Sequence, residues 1–296
     1  MKKKILSVLL AAAMVGSLTV GCGSNSSEEK KDTAPTTEEG KETTEETEAK
    51  TETITSVAKK EGDTFTVGFD AEYPPYGYMD DNGDYTGFDL ELAQAVCDLK
   101  GWKLVKTPIA WDSKDMELNS GSIDCIWNGF TMNGREDDYT WSDPYVDNSQ
   151  VMVVSESSGI KDLAGLSGKI VGVQASSAAL ELLQDEEGQK KLADTFATLQ
   201  EFPDYNSAFV ELQAGSVDAI AMDVGVAKYQ LETRGEGYAI LDEELNTEKY
   251  AIGFRKDDTG TRDQVNEALK ELVKDGTFTK LAEKYDIADM VCLKAE

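Results

Sequence analysis

Residues Asp124–Tyr145, DCIWNGFTMNGREDDYTWSDPY, contain the pattern that most strongly predicts the fold. Residues 125–127 form a short apolar run with the length of a buried strand. Residues 128–131 end that run with an Asn-Gly turn and a hydroxyl, and Arg135 follows. Backbone N–H groups at a strand end, a hydroxyl and a guanidinium can together hold a carboxylate, since Arg bonds both of its oxygens. Alternatively, Arg135 pairs with the acidic residues 136–138 on a solvated turn, where such pairs contribute little.

A second apolar run later in the chain has the same surroundings. Gly121-Ser122-Ile123-Asp124 leads into the first run, and Gly215-Ser216-Val217-Asp218 leads into the second after a predicted helix. Asp223 then stands at the end of the second strand. The repeated order of helix, Gly-Ser turn, Asp, apolar strand and polar loop predicts two similar α/β units. Asp223 could also simply cap the helix that follows it.

Polar side chains follow two further predicted strands, Phe65–Phe69 and Lys169–Val173. Asp70 and Tyr73 come after the first of these. Residues 174–178 come after the second, where a Ser can cap a helix and free N–H groups favour an anion. In open α/β sheets ligands bind at the carboxyl ends of strands. We therefore expect these loops to carry ligand-binding residues.

Gly129-Phe130-Thr131, Arg135 and the run Trp141–Tyr145 resemble a motif of the extracellular amino-acid-binding proteins of ABC importers. That family has roughly G-M-T-x-T-x-x-R followed by F-S-x-P-Y, and this chain is one residue shorter between Thr131 and Arg135. The resemblance extends over the whole chain after its N-terminal linker. It implies the α/β fold of the type II periplasmic binding proteins, with two lobes, a sheet flanked by helices in each, and two hinge crossings.

The resemblance also implies a ligand site. Arg135, Thr131 and the serines at 176 and 177 would hold the α-carboxylate of an amino acid, and Asp223 its α-ammonium. The aromatic side chains are expected to form the walls of the side-chain pocket, although each could instead be a core residue. The expected ligand-binding set is Asp70, Tyr73, Trp111, Asn128, Gly129, Thr131, Arg135, Gln174, Ser176, Ser177 and Asp223.

The composition excludes several classes of function. The formal net charge is −28 over 296 residues, with a pI of about 4.3, so that nucleic-acid phosphates would be repelled. The sequence contains no His, which removes the commonest general base and the commonest metal ligand. We expect no catalytic residues, no metal and no cofactor.

The N-terminus predicts export and lipid anchoring. Residues 1–21 have a basic start and an apolar run, Ile5–Val15, that is too short for a membrane span. Leu18–Cys22 resembles the cleavage box of bacterial lipoproteins, with Cys22 as the lipidated residue; an ordinary signal peptide is the alternative. Residues 22–62 contain the lipidated Cys and a linker rich in Thr and Glu with nothing to bury. The expected location is the outer face of the bacterial cytoplasmic membrane, in the cell envelope.

Three cysteines remain in the predicted folded region. An odd number outside the cell leaves at least one thiol free. Cys125 lies in an apolar run and is expected to be a small core residue. Cys97 could pair with either Cys125 or Cys292, and the sequence leaves this open. The predicted domains are a first lobe of residues 63–154 plus 254–296 and a second lobe of residues 155–253.

These features predict a monomeric, lipid-anchored solute-binding protein that delivers an amino acid to the membrane permease of an ABC importer. Asp70 and Trp111 suit a polar or cationic side chain, which leaves glutamine, a basic amino acid or cystine as ligand. One alternative is an enzyme on the same fold, similar to cyclohexadienyl dehydratase, because fold does not fix function. The other is a solute-sensing module that reports to a receptor.

Overall fold

The computed structural model describes residues 58–294. The expected signal peptide, the lipidation site Cys22 and the linker up to residue 57 lie outside the described residues. Across residues 58–294, every helix is too short or too polar to cross a membrane.

The described region alternates strands and helices. Its fourteen strands are β1 Thr64–Phe69, β2 Glu72–Tyr73, β3 Gly77–Met79, β4 Tyr85–Thr86, β5 Lys103–Pro108, β6 Cys125–Ile126, β7 Thr140–Trp141, β8 Val146–Ser155, β9 Ile170–Gln174, β10 Thr198–Phe202, β11 Ala219–Asp223, β12 Tyr238–Ile240, β13 Asn246–Tyr250 and β14 Gly253–Phe254. Its eight α-helices are α1 Phe88–Lys100, α2 Lys114–Ser120, α3 Ala178–Gln184, α4 Lys190–Ala193, α5 Tyr205–Ala214, α6 Val224–Arg234, α7 Thr259–Lys274 and α8 Thr277–Lys284.

The first sheet has the strand order β5-β1-β6-β14-β7. Strands β5 and β6 run parallel to β1, with Val67 opposite both Lys106 and Cys125. Strand β14 joins β6 and β7 antiparallel. Because β1 and β6 are parallel neighbours, the loops after Phe69 and Ile126 leave the same edge of the sheet. Helices α1, α2, α7 and α8 pack around this sheet, and together they form what we call the first lobe.

The second sheet has the order β10-β9-β11-β8-β12, and β13 also pairs with β8. Strands β9, β10 and β11 are parallel, so that Gln174 and Asp223 end neighbouring strands at one edge. Strand β8 is antiparallel to β11, and Asp223 lies opposite Gln150. This sheet with α3, α5 and α6 forms the second lobe.

The chain crosses between the lobes twice, before β8 and between β13 and β14. We expected the strand Val151–Val154 to belong to the first lobe. The assignment is wrong for this strand, because β8 begins at Val146 and all of its strand partners, β11, β12 and β13, are in the second sheet. The apolar sequence of the strand suits either sheet, and only its pairing decides between them. The division at residues 154 and 254 otherwise stays a prediction.

Side chains on both faces of the second sheet are buried. Val151 and Val153 of β8 lie in the cluster with α5 and α6, whereas Met152 and Val154 lie in the cluster with α3. Successive side chains of a strand point to opposite faces, so a continuous apolar run is what a doubly covered strand requires.

The three cysteines of residues 58–294 are all free thiols in this structure, with no disulfide among them. Cys97 and Cys125 are buried in the first lobe, as expected for Cys125, and Cys292 is half-buried.

Candidate functional site

A narrow cavity lies where the strand-end loops of the two lobes meet. We call it the inner cavity, and its volume is about 10 Å³, which is room for about one water. The loops after β1 and β6 form one side of it, and the ends of β9 and β11 form the other. Its lining residues are Tyr73, Trp111, Gly129, Thr131, Arg135, Gln174, Ser177, Ala178 and Asp223.

Eight of the eleven residues expected to bind ligand are in this lining. The other three lie behind it. The Asp70 carboxylate accepts a hydrogen bond from Gln174 Nε2 at 2.7 Å, and the Asn128 side chain accepts one from the Asp70 amide. Ser176 has a positive φ of 56° and offers its carbonyl to Lys114 Nζ at 3.2 Å. These three residues support the lining instead of forming it.

Burial raises the pKa of the Asp70 carboxyl. The loss of solvation raises the pKa of its carboxyl from 3.8 to about 6, although hydrogen bonds from the Glu72 amide and the Gln174 side chain oppose the rise. Gln174 belongs to the second lobe, so its bond to Asp70 joins the two lobes beside the inner cavity.

Arg135 makes a two-pronged contact with Glu181 of α3. Arg135 Nε donates to Glu181 Oε2 at 3.0 Å, and Nη2 donates to Oε1 at 2.7 Å. A third N–H, on Nη1, donates to the carbonyl of Thr131 at 3.3 Å. The alternative in which Arg135 pairs with residues 136–138 is therefore wrong. Its carboxylate partner comes from the other lobe, while the Arg135 side chain is only 7% exposed.

Asp223 is the N-cap residue of α6, but its side chain makes no capping hydrogen bond. Its Oδ1 instead accepts from Asn148 Nδ2 at 2.9 Å, Gln150 Nε2 at 2.7 Å and the Tyr250 hydroxyl at 2.7 Å. Its Oδ2 accepts from the Tyr205 hydroxyl at 3.2 Å. The hypothesis that Asp223 merely caps a helix is therefore wrong, because the carboxylate is held by four donors next to the cavity.

Glu248 places a second carboxylate next to Asp223. Its Oε1 accepts from the Thr131 hydroxyl, Asn148 Nδ2 and Gln150 Nε2, each at 2.8 Å. Burial and the neighbouring Asp223 raise the pKa of the Glu248 carboxyl. The Thr131 hydroxyl proton is thus directed at Glu248 in this arrangement. Two buried carboxylates that share the same amide donors make this side of the cavity suitable for a cation.

Gly129 has a conformation and a packing that exclude other residues. Its φ is +54°, and a Cβ there would stand 2.9 Å from the rings of both Tyr73 and Tyr250. We expected N–H groups at this strand end to be left for a ligand. The Gly129 amide instead donates to Asp89 Oδ2 at 2.6 Å, and the Tyr145 hydroxyl donates to the same oxygen at 2.9 Å. The loop is therefore fastened from behind by a fully buried carboxyl.

Ser177 and two aromatic residues complete the walls. The Ser177 hydroxyl oxygen caps α3 by accepting from the Leu180 amide at 3.1 Å. The half-buried Trp111 packs edge-on against Phe130, with ring centroids 5.5 Å apart, and Lys114 Nζ lies 5.3 Å from its ring. The Tyr73 hydroxyl lies 3.3 Å from that of Tyr250. Trp111 is thus both a wall of the cavity and a neighbour of the core.

Sequence reasoning missed several polar residues at this site. Glu181 and Lys114 carry no local signal, because exposed helices are commonly charged. A signal did exist for the others. Asn148 and Gln150 are two residues apart in the buried strand β8, and Glu248 and Tyr250 are two apart in β13, so each pair points to one face. Polar residues at that spacing in buried strands indicate a polar site.

Comparison with known proteins gives consistent matches. Residues 65–287 match the model of the bacterial extracellular solute-binding proteins, family 3. The L-cystine-binding protein TcyJ of Escherichia coli (strain K12) is 30% identical over 235 residues, which cover 78% of this chain and 85% of TcyJ. A substrate-binding protein of an ABC uptake transporter from Streptococcus pneumoniae, solved with bound histidine, is 34% identical with a TM-score of 0.74, covering 78% of this chain and 95% of that one. The ancestral amino acid-binding protein AncCDT-1, a precursor of cyclohexadienyl dehydratase, is 31% identical with a TM-score of 0.68, covering 75% and 95% of the two chains.

Proposed function

Because the chain belongs to the bacterial extracellular solute-binding proteins, family 3, we propose that it binds an amino acid between its lobes and delivers it to the permease of an ABC importer. One observation carries the proposal: the inner cavity has a guanidinium from the first lobe and a carboxylate from the second, Arg135 and Asp223. These are the two partners that an α-amino acid requires at its α-carbon.

Each charged end of the amino acid has a partner. The α-carboxylate binds Arg135, whose guanidinium has five N–H donors, three of which are already used within the protein. The Ser177 hydroxyl supplies a further donor. The α-ammonium binds Asp223, with the carboxyl group of Glu248 behind the Thr131 hydroxyl. Closure of the lobes over the ligand presents a new surface to the permease.

The side chain of the amino acid lies toward Tyr73, Trp111 and Gln174. Asp70, bonded to Gln174, stands behind this wall with a pKa near 6. A cationic side chain would favour the ionised carboxylate of Asp70, and a polar one would bond to Gln174. Glutamine, the basic amino acids and cystine are therefore the proposed ligand classes, which suits a family whose relatives include cystine- and arginine-binding proteins.

The proposed location follows from the N-terminus. Lipidation of Cys22 anchors the protein at the outer face of the cytoplasmic membrane, and the linker after it lets the binding lobes, as a monomer, reach the permease.

The competing hypothesis is an enzyme on this fold, and the likeness to AncCDT-1, a precursor of cyclohexadienyl dehydratase, supports testing it. The relatives named above are binding proteins, and our proposal involves no covalent chemistry. Incubation of the protein with prephenate should give no product above the uncatalysed rate.

A ligand panel tests the proposed function. The unfolding temperature is measured with each of the twenty amino acids, ornithine and cystine, and hits are confirmed by calorimetry. We expect a rise of several degrees with one chemical class and micromolar or tighter affinity. If no amino acid raises the unfolding temperature, while turnover of prephenate is observed, the binding function is overturned in favour of the enzyme.

A further inference from the structure

We propose that Glu181 is a positioning residue, which holds Arg135 across the cleft in the orientation that receives the ligand carboxylate. The inference rests on the proposed function and extends it by assigning a role to a residue that no sequence motif marks. The pair joins the loop between β6 and β7 to helix α3, and so it joins the first lobe to the second.

The first argument is the number of donors. Glu181 takes the N–H of Nε and one N–H of Nη2, and the carbonyl of Thr131 takes one N–H of Nη1. A guanidinium has five N–H groups, so one remains on each terminal nitrogen. Two N–H groups on neighbouring nitrogens are the fork that binds a carboxylate through both oxygens. Glu181 therefore leaves intact the part of Arg135 that the proposed function needs.

The second argument is the side from which Glu181 approaches. Arg135 lines the inner cavity, whereas Glu181 lines a separate cavity of about 350 Å³ with Thr131, Gly134 and Asp185. We call this second space the outer cavity. The Glu181 carboxylate thus contacts Arg135 from the outer cavity and does not occupy the place of a ligand. This geometry argues against Glu181 as a competitor of the ligand carboxylate.

The third argument is that the guanidinium is held on several sides. Its central carbon lies 5.2 Å from the centroid of the Phe130 ring, which packs against one face. The backbone carbonyl of Arg135 accepts from Trp141 Nε1 at 3.0 Å, which fixes the chain at this point. All of these contacts come from the first lobe. Among residues 58–294, Glu181 is the second-lobe residue that hydrogen-bonds to the guanidinium, so opening the cleft frees Arg135 and closing it sets the side chain in place.

The test compares Glu181→Gln with Asp185→Asn. Both variants remove one negative charge from the outer cavity. Asp185 follows directly after α3, and its carboxylate accepts from the Glu187 amide, whereas the carboxylate partner of Arg135 is Glu181. The probes are L-glutamine, L-arginine, L-histidine and L-cystine, each compared with its carboxamide, by calorimetry and stopped-flow dissociation. We expect Glu181→Gln to weaken binding of the free amino acid about tenfold, mainly through faster dissociation. Asp185→Asn should stay within about twofold.

The carboxamide separates positioning from a purely structural role. If Glu181 acts through Arg135 and the ligand carboxylate, Glu181→Gln should weaken binding of the carboxamide by less than about threefold. An equal loss for both forms of the probe, unchanged affinity, or tighter binding of the free amino acid would each overturn the inference. A lowered unfolding temperature of the protein without amino acid, with affinity unchanged, would mark Glu181 as structural only.

Arg135→Ala distinguishes a failure of this inference from a failure of the proposed function. If Arg135→Ala abolishes binding and Glu181→Gln leaves it unchanged, only the role of Glu181 is wrong. If Arg135→Ala binds as the wild type does, the carboxylate contact itself is wrong and the inference fails with it. If the wild type binds no amino acid of the full panel, both are overturned.

Discussion

Arg135 and Asp223 lie on opposite sides of a cavity that admits about one water, and so they mark the two charged ends of the proposed ligand. In a closed, dry cleft, a buried charge left without its partner costs about 3–5 kcal/mol. We therefore expect Arg135→Ala and Asp223→Ala each to weaken amino-acid binding by roughly 10²- to 10³-fold or more. Calorimetry with the best amino acid of the panel measures this.

Two matched comparisons make that prediction specific. Arg135→Lys should restore only part of the affinity, because Lys lacks the planar fork. N-acetylation of the amino acid should mimic Asp223→Ala, because both remove the ammonium–carboxylate contact. Affinities of both alanine variants within about threefold of the wild type would contradict the proposed clamp.

Asp89 gives a second residue-scale prediction, on the pH dependence of stability. Burial raises the pKa of its carboxyl from 3.8 to about 7. Between about pH 4 and pH 7 the folded protein keeps this proton while the unfolded chain releases it. The free energy of unfolding should therefore fall as pH rises through that window, by on the order of 4 kcal/mol from Asp89.

Asp89→Asn should remove that part of the decline, since the amide does not titrate and can still accept from Gly129 and Tyr145. Urea unfolding of both proteins from pH 4 to pH 8 measures the difference. Asp70, whose pKa is raised to about 6, remains in the variant and should leave a smaller decline that ends near pH 6. If the free energy of unfolding falls equally with pH in the wild type and the variant, Asp89 is not the cause of the decline.

The residue types at the site could be predicted, but their partners could not. Strand ends followed by Asp, Thr, Arg or Ser are visible in the sequence, and eight of the eleven expected residues do line the inner cavity. That Arg135 pairs with Glu181 depends on how helix α3 lies across the cleft, 46 positions further along the chain. No local pattern records a contact that the relative placement of two lobes creates.

At the scale of elements, the loop between β6 and β7 depends on Gly129. An added Cβ would meet two tyrosine rings at 2.9 Å, and the φ of +54° lies in the left-handed region that most L residues adopt only at a cost. Gly129→Ala should lower the unfolding temperature and weaken amino-acid binding at least tenfold, because Tyr73 and the loop must move apart. Thermal unfolding and calorimetry provide the two measurements.

Gly134→Ala is the matched control in the same loop. Gly134 also has a positive φ, +79°, but a Cβ there would have nothing within 4 Å. The Gly134→Ala variant should lose only the free energy of unfolding that the left-handed backbone conformation costs, about 1–2 kcal/mol, and should keep most of its affinity for the amino acid. Equal losses in the two variants would mean that the tyrosine contacts of Gly129 contribute nothing.

Most elements follow from their own sequence, whereas the lobe to which a strand belongs does not. Helix α1 has buried Phe88, Leu92 and Val96 at helical spacing, and α5 ends at Gly215, a stop signal that is visible in the sequence. Periodicity and glycine stop signals suffice for such helices. For β8 the same apolar residues satisfy either sheet, and pairing with β11 and β13 decides. Long-range pairing is thus the part of the fold that local physics leaves undetermined.

At the scale of the whole molecule, the proposed anchor can be tested by itself. Cys22→Ser should block lipid attachment, so that uncleaved precursor accumulates or the protein is released into the medium. Mass spectrometry of the native N-terminus measures the acyl group directly. If the N-terminus of the mature wild-type protein carries no acyl group on Cys22, an ordinary signal peptide is favoured instead.

The size of the inner cavity implies that the lobes must separate before an amino acid can enter. A volume of about 10 Å³ cannot admit one, and the two crossings, before β8 and before β14, are where the lobes can hinge. The exposed Glu72 of the first lobe is hydrogen-bonded to the half-buried Asn206 of the second, so a cross-link between these two positions would hold the lobes together. A variant with Glu72→Cys, Asn206→Cys and Cys292→Ser, joined by a short bismaleimide, should be held closed.

Cross-linking before the amino acid is added should abolish binding, and cross-linking afterwards should trap the amino acid through dialysis. Cys97 and Cys125 should not react, because burial raises their thiol pKa values and covers them. The matched controls carry Cys292→Ser with only one of the two new cysteines, and they should bind normally after the same treatment. If the variant cross-linked in advance binds with wild-type affinity, the amino acid reaches its site without separation of the lobes, and the hinge does not control access.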